Sequence, residues 1–265
     1  MITPAAAAPL PHLSDYSAPA GWRSIDFLSD LHLQGSTPRS VEALARHLEQ
    51  TSADAVFILG DLFEAWPGDD ARFDGFEQQC AAMLREAAAR KTVGFMCGNR
   101  DFLVGTALLQ DCGMLALPDP TVLIAFGRRI LLIHGDALCL ADHDYQRFRT
   151  QVRNPAWQAG FLAKPLSERR AIAQQMRAQS EQHKREQGRD NWIDLDRDAT
   201  LQWMEAADTP TLIHGHTHHP SHERLAPGRE RWVLSDWDLD HEPRRADVLR
   251  LDAAGIRRID IATAA

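Results

Sequence analysis

Five short apolar runs in this chain each break off at a compact polar segment, and that recurrence constrains the fold more than any other feature. The central one, Val56-Phe57-Ile58-Leu59, is continuous, carries two β-branched residues and stops at Gly60-Asp61. Such a run suits a strand covered on both faces of an α/β sheet, where chemistry collects at strand ends. A lone Asp after a strand and a glycine is more often a turn former than a ligand. Here it has company. Trp22 to Leu28 leads into Ser29-Asp30-Leu31-His32, and Thr92 to Cys97 into Gly98-Asn99-Arg100-Asp101. Ile130 to Ile133 leads into His134-Gly135-Asp136, and Thr211 to Ile213 into His214-Gly215-His216-Thr217-His218-His219.

Between the first two runs, Val41, Leu44, Ala45 and Leu48 follow helical spacing behind a Ser40 cap, so the order β, α, β predicts parallel neighbours. Cys80, Met83, Leu84 and Ala87 repeat the helical period before the third run. In a strand or extended turn, alternation puts Asp30 and His32 on the same side, as two ligands of one ion require. Residues 1–21, rich in Ala and Pro, read as a disordered tail before a domain over 22–265. A helical insertion is expected at about 142–205, with helical spacing around Trp157, Phe161 and Leu162 and a second helix from Ser167 towards Glu186. From Lys164 to Arg189 it holds seven Lys or Arg against three Glu. Either it is an ordinary helical hairpin packed on the core, or it caps the site and handles an anionic, partly apolar ligand. Arg231 to Leu234 and Ala246 to Ile261, the latter turning at Ala253-Ala254-Gly255, read as closing strands.

Composition narrows the functional classes. A net charge of -8 and a pI near 5.8 argue against a nucleic-acid partner held by a general basic field. The four cysteines, Cys80, Cys97, Cys112 and Cys139, are scattered, which suits reduced thiols in a cytoplasmic protein rather than a metal or disulfide framework. No stretch approaches the roughly 18 apolar residues of a membrane-spanning helix, and the amino-terminal region has neither the basic start nor the apolar core of a signal peptide.

The strand ends gather Asp30, His32, Asp61, Asn99, His134, His216 and His218. Carboxylate, imidazole and amide oxygen together suit Mn²⁺, Fe²⁺ or Zn²⁺ and are poor for Ca²⁺. Seven donors exceed the needs of one ion. If one carboxylate bridges, two ions about 3.5–4 Å apart activate a shared water and clamp a phosphoryl group, and Asp61, on the central strand, is the natural bridge.

D-x-H, G-D, G-N-x-D, H-G-D and G-H-x-H, each after an apolar strand and in this order, resemble the calcineurin-like metallophosphoesterases from Ile25 to Val233. The resemblance implies an α/β fold of two packed mixed β-sheets flanked by helices, here with a helical cap insertion. It implies one metal on Asp30, His32, Asp61 and His218 and another on Asp61, Asn99, His134 and His216, leaving His214 and His219 outside the ligand set. Many members have a histidine after the G-N pair, where this chain has Arg100, a guanidinium suited to a phosphate-rich substrate. The G-N-R-D element, Gly60-Asp61-Leu62-Phe63-Glu64-Ala65-Trp66, His134-Gly135-Asp136 and Met176-Arg177-Ala178-Gln179-Ser180 look like the UDP-2,3-diacylglucosamine diphosphatases of the lipid A pathway. That closer likeness implies hydrolysis of UDP-2,3-diacylglucosamine to UMP and 2,3-diacylglucosamine 1-phosphate by a dinuclear Mn²⁺ enzyme, peripheral on the cytoplasmic face of the inner membrane. Asp61, Asn99, Arg100 and His216 would be catalytic. Asn99, Arg100, Asp142, Ser180, Lys184 and His216 would contact substrate, although the chain departs from the pattern around Lys184. A phosphodiesterase for soluble nucleotides would share the metal site without an acyl pocket. A protein-interaction module on this scaffold would have lost ligands, and every expected ligand position here is filled.

Overall fold

Burial on both faces of short strands builds two sheets in the computed structural model, which describes residues 10–187 and 193–262, without the side chains of 179–187. The first half of the chain runs β1 (Ser14–Ser17), β2 (Ser24–Leu28), α1 (Pro38–Gln50), β3 (Ala55–Leu59), α2 (Gly75–Ala88), β4 (Thr92–Met96), α3 (Thr106–Cys112), β5 (Leu115–Ala116), β6 (Thr121–Ala125) and β7 (Arg128–Leu132). Four helices follow: α4 (His143–Val152), α5 (Pro155–Leu162), α6 (Leu166–Gln187) and α7 (Arg197–Ala206). The chain closes with β8 (Thr211–His214), β9 (Ser221–Ala226), β10 (Arg229–Val233), β11 (Asp247–Asp252) and β12 (Gly255–Asp260).

One mixed sheet has the order β12-β11-β2-β3-β4-β5 and the other β1-β6-β7-β8-β10-β9. In the first, β2, β3, β4 and β5 are parallel; in the second, β7 and β8 are parallel. The period of two along β3 assigns its faces. Ala55, Phe57 and Leu59 join Ile25, Ile130 and Leu132 in a core between the sheets, while Val56 and Ile58 pack outward with Leu44 and Leu84 of α1 and α2. The second sheet turns Leu131 and Leu212 outward onto Trp203 and Met204 of α7. A strand buried on both faces therefore has no polar alternation, which is why β3 reads as an unbroken apolar run.

Three expectations need correction. The tail does not extend to residue 21: Ser14–Ser17 is a strand parallel to β6, with Tyr16 edge-on to Phe57 at 5.7 Å. Its polar sequence carries no apolar run, so the edge of the sheet decides its conformation; residues 1–9 lie outside the described residues. Ser40 is not a helix cap. The helix begins at Pro38 behind Thr37, and the buried Ser40 hydroxyl donates to Asp240 at 2.9 Å. Finally, β2 ends at Leu28, so strand alternation does not aim Asp30 and His32; each sits in the left-handed region, with φ of 55° and 48°.

Candidate metal centre

The parallel strands of the two sheets deliver their polar ends to one place. The turn after β2 runs alongside the turn after β3: the amides of Asp30 and His32 donate to the carbonyls of Gly60 and Asp61 at 3.1 and 3.0 Å. From the other sheet, the His216 amide donates to Asp30 Oδ2 at 2.9 Å, and His134 Nδ1 lies 2.9 Å from the Leu59 carbonyl. Asp30, His32, Asp61, His216 and His218 all have φ between 48° and 66°, a costly conformation for residues with a Cβ that concentrates where surrounding structure over-determines the backbone. Close approach also needs glycine. A Cβ on Gly60 would sit 2.5 Å from His134 Nδ1 and 2.7 Å from Gly98 Cα, and one on Gly98 would overlap the Asp61 carboxylate.

All seven expected donors meet here. Asp30 Oδ1 lies 3.3 Å from His218 Nε2 and 4.0 Å from His32 Nε2, and the two imidazole Nε2 atoms are 3.2 Å apart. Asp61 Oδ2 is 4.0 Å from His32 Nε2, while its Oδ1 is 3.7 Å from His134 Nε2. Asn99 Oδ1 is 2.9 Å from His134 Nε2 and 2.8 Å from His216 Nδ1. Two groups of potential ligand atoms, Asp30-His32-His218 and Asp30-Asp61-His134, each fall within 4.8 Å of one another. His32, Asp61, Asn99, Arg100, His216 and His218 line a cleft with Glu64.

The electrostatics favour positive charge at this point. Burial works against the charged form of Asp30, yet His218, His134 and His32 hold its carboxyl far below the usual range. Burial likewise opposes charge on His134, but Asp61, Asp30 and Asp136 push it up to about 9. Burial and neighbouring His134 push His216 down to about 4.

Other expected residues are placed differently. His214 is fully buried, and burial reinforced by Arg231 pushes it down to about 3; its Nδ1 lies 2.8 Å from the Gly215 carbonyl. His219 lines a separate cavity with Asp194, Glu223 and Arg231. Asp142 accepts the Tyr145 amide at 3.0 Å as the cap of α4 and does not line the cleft. Ser180 and Lys184 belong to a stretch whose side chains lie outside the described residues. The basic charge of α6 is already engaged where it is described. Arg169 bonds Asp70 and the carbonyls of Pro67 and Lys164, Arg170 bonds Asp74 and Glu77, and Arg177 pairs with Glu64. These cations fasten the helix to the core, which the pattern of charge along the sequence could not reveal.

Three further acids around the site carry no distinguishing mark in the sequence. Glu64 Oε2 lies 3.1 Å from His32 Nδ1. Asp136, fully buried, accepts from Tyr145 Oη at 2.5 Å and Arg149 Nε at 2.9 Å, tying α4 to the turn after β7. Asp101, also fully buried, accepts four backbone amides. The H-G-D and G-N-R-D motifs contain the last two, but nothing in their spacing distinguishes an inward carboxylate from a ligand.

Comparison with known proteins agrees with this geometry. The family model for calcineurin-like phosphoesterases matches residues 23–220. A Chromobacterium violaceum protein named UDP-2,3-diacylglucosamine hydrolase is 45% identical over 240 residues, covering 90% of this chain and 99% of its own. Proteins of the same name from Ralstonia nicotianae and Bordetella pertussis are 45% and 42% identical, covering 85% and 88% of this chain and 88% and 93% of theirs. With its strand ends converging as that fold requires, the chain belongs to the calcineurin-like phosphoesterase family of hydrolases, in the group whose curated members bear the name UDP-2,3-diacylglucosamine hydrolase.

Proposed function

We propose that this chain hydrolyses the pyrophosphate bond of UDP-2,3-diacylglucosamine to UMP and 2,3-diacylglucosamine 1-phosphate, with two divalent ions, Mn²⁺ in the first instance, at the strand ends. The observation that carries the reading is the meeting of seven N and O donors from both sheets around one cleft that Arg100 also lines. The residues fit such ions: the set mixes imidazole with carboxylate and amide oxygen, and buried Asp30 Oδ1 makes no well-formed hydrogen bond, facing His218 Nε2 at 3.3 Å. Asp30, His32, Asp61 and His218 would hold one ion, and Asp61, Asn99, His134 and His216 the other. When bound, the ions would supply Lewis acidity, a nucleophilic water near neutral pH and neutralisation of phosphoryl oxygens.

The chain supplies position and charge. The Arg100 amide holds Asp61 Oδ1 at 2.8 Å, leaving Oδ2 turned towards His32. Arg100 lines the cleft with Asn99 and His216, and its guanidinium would meet the phosphate oxygens. The helices from α4 to α6 would form the cap; the expected insertion to about 205 is too long, because α7 packs Trp203 and Met204 on the second sheet. Trp157 of α5 stacks on Phe161 at 5.2 Å and lies 6.2 Å from Phe102, two residues beyond Arg100, so apolar side chains join α5 to the segment that follows Arg100. Roles for Asp142, Ser180 and Lys184 rest on the resemblance alone. A substrate with two acyl chains supports a peripheral position, which we assign to the cytoplasmic face of the inner membrane; exposed Phe73 and Leu162 offer apolar side chains for such contact, and no described helix is long and apolar enough to span it.

Product analysis with the diacyl UDP-sugar tests the reading. After chelation, added Mn²⁺ should restore release of UMP, with UDP-N-acetylglucosamine a poor substrate. Equal turnover of both would leave a phosphodiesterase without an acyl pocket, and turnover unaffected by chelation would remove the metals from the account.

A further inference from the structure

Asp101 lies behind the metal centre and outside the cleft. It is 0% exposed, and among the described residues no cationic side chain forms a salt bridge with it. Its carboxylate instead accepts backbone amides from two turns: Gly98 at 2.7 Å from its own, and Asp61, Leu62 and Phe63 at 3.3, 2.8 and 3.3 Å from the turn after β3. Three successive amides converging on one oxygen pair form an anion-binding concavity of the kind made where a left-handed residue opens a turn, and Asp61 is that residue, with φ of 53°. The return contact completes a clasp. Asp61 Oδ1 accepts the amide of Arg100, the residue before Asp101, at 2.8 Å. Each turn's aspartate thus grips the other turn's backbone, one carboxylate facing the cleft and the other facing away.

Resting on the two-ion reading above, we infer that Asp101 is the positioning residue for the shared carboxylate: it holds Asp61 in its left-handed conformation and sets the spacing between Asp61 and Asn99, so that both ions are bound together. The four amides need an acceptor. Without one they are buried and unsatisfied, and the Asp61 turn is free to relax towards ordinary φ. Isosteric Asp101→Asn is the discriminating change. It preserves volume, but all four partners donate, so the new NH₂ must face an N–H. A role in packing alone would tolerate Asn; a role in gripping amides would not.

The test compares wild type with Asp101→Asn by circular dichroism, by Mn²⁺ titration calorimetry and by electron paramagnetic resonance, which separates an exchange-coupled Mn²⁺ pair from isolated ions. The expected result is a folded variant whose affinity for one of two Mn²⁺ ions falls 10–100-fold, as is usual when a group supporting a ligand is lost. The coupled signal should give way to an isolated one, and kcat should fall with KM little changed, because Asp101 does not line the cleft. A variant that binds two ions with wild-type affinity and coupling overturns the inference. If wild type itself binds fewer than two ions, the two-ion reading fails, and the inference with it. If the variant does not fold, amide exchange in wild type decides: Leu62 and Phe63 amides should be protected well beyond those of exposed loops, and fast exchange overturns the clasp.

Discussion

Gly98→Ala tests whether the site depends on the close approach of the two turns. Its φ lies outside the left-handed region, so alanine meets no backbone penalty there and the effect is steric. The new Cβ would stand 2.8 Å from Asp61 Cγ and closer still to its Oδ1 and amide nitrogen, where ordinary contact begins at 3.4 Å. Relief requires the Asp61 turn, backbone as well as carboxylate, to shift by roughly 1 Å, a displacement that can cost about 10²-fold in rate, or about 2.7 kcal/mol of transition-state stabilisation. Overpacking of this kind costs about 1–3 kcal/mol of stability, which leaves a domain of ordinary stability folded. Steady-state kinetics at saturating Mn²⁺ should therefore show kcat/KM on the diacyl UDP-sugar reduced about 100-fold or more, with a native circular dichroism spectrum. Gly160→Ala in α5 is the control: a Cβ there meets nothing within 4 Å, and activity should be unchanged. Gly98→Ala within threefold of wild type, with full metal content, would refute the reasoning.

Asp61→Asn should lower turnover by orders of magnitude while the melting temperature measured in chelator stays near wild type, since β3 is untouched; retained turnover with both metals bound rules out the shared-ligand role. Trp157→Ala should weaken use of the acylated substrate more than hydrolysis of a small phosphodiester, and an equal loss on both would mark general damage to α5. For pH dependence, burial opposes charge on Asp26, but Arg250, His47 and Thr51 hold its carboxyl far below the usual range, with Arg250 Nε at 2.6 Å. A depressed folded value contributes stability above the unfolded value of about 4, lost as pH falls through the folded one. Asp26→Asn should thus cost about 3–5 kcal/mol at pH 7, with the gap from wild type narrowing below about pH 4 in urea titrations; a gap independent of pH contradicts the ion-pair account.

The legible part of this protein is what depends on short-range pattern. Apolar runs of β-branched residues and the helical period between them determined the parallel strands, and a polar segment after each run marked Asp30, His32, Asp61, Asn99, His134, His216 and His218. Those residues stand at strand ends because a buried strand must stop where the chain turns, and a local sequence records that stop.

Only the tertiary structure decided how those ends face one another and what supports them. The left-handed conformations of five donors and the Asp61–Asp101 clasp require two turns pressed together. The engagement of Arg177 with Glu64 joins residues 113 positions apart, and the His216 amide reaches Asp30 across 186. The same holds for Ser14–Ser17, whose strand exists through pairing with β6. Side-chain type and spacing state which charges a chain carries, but burial and pairing set what each charge does, and both are properties of residues brought together from distant parts of the chain.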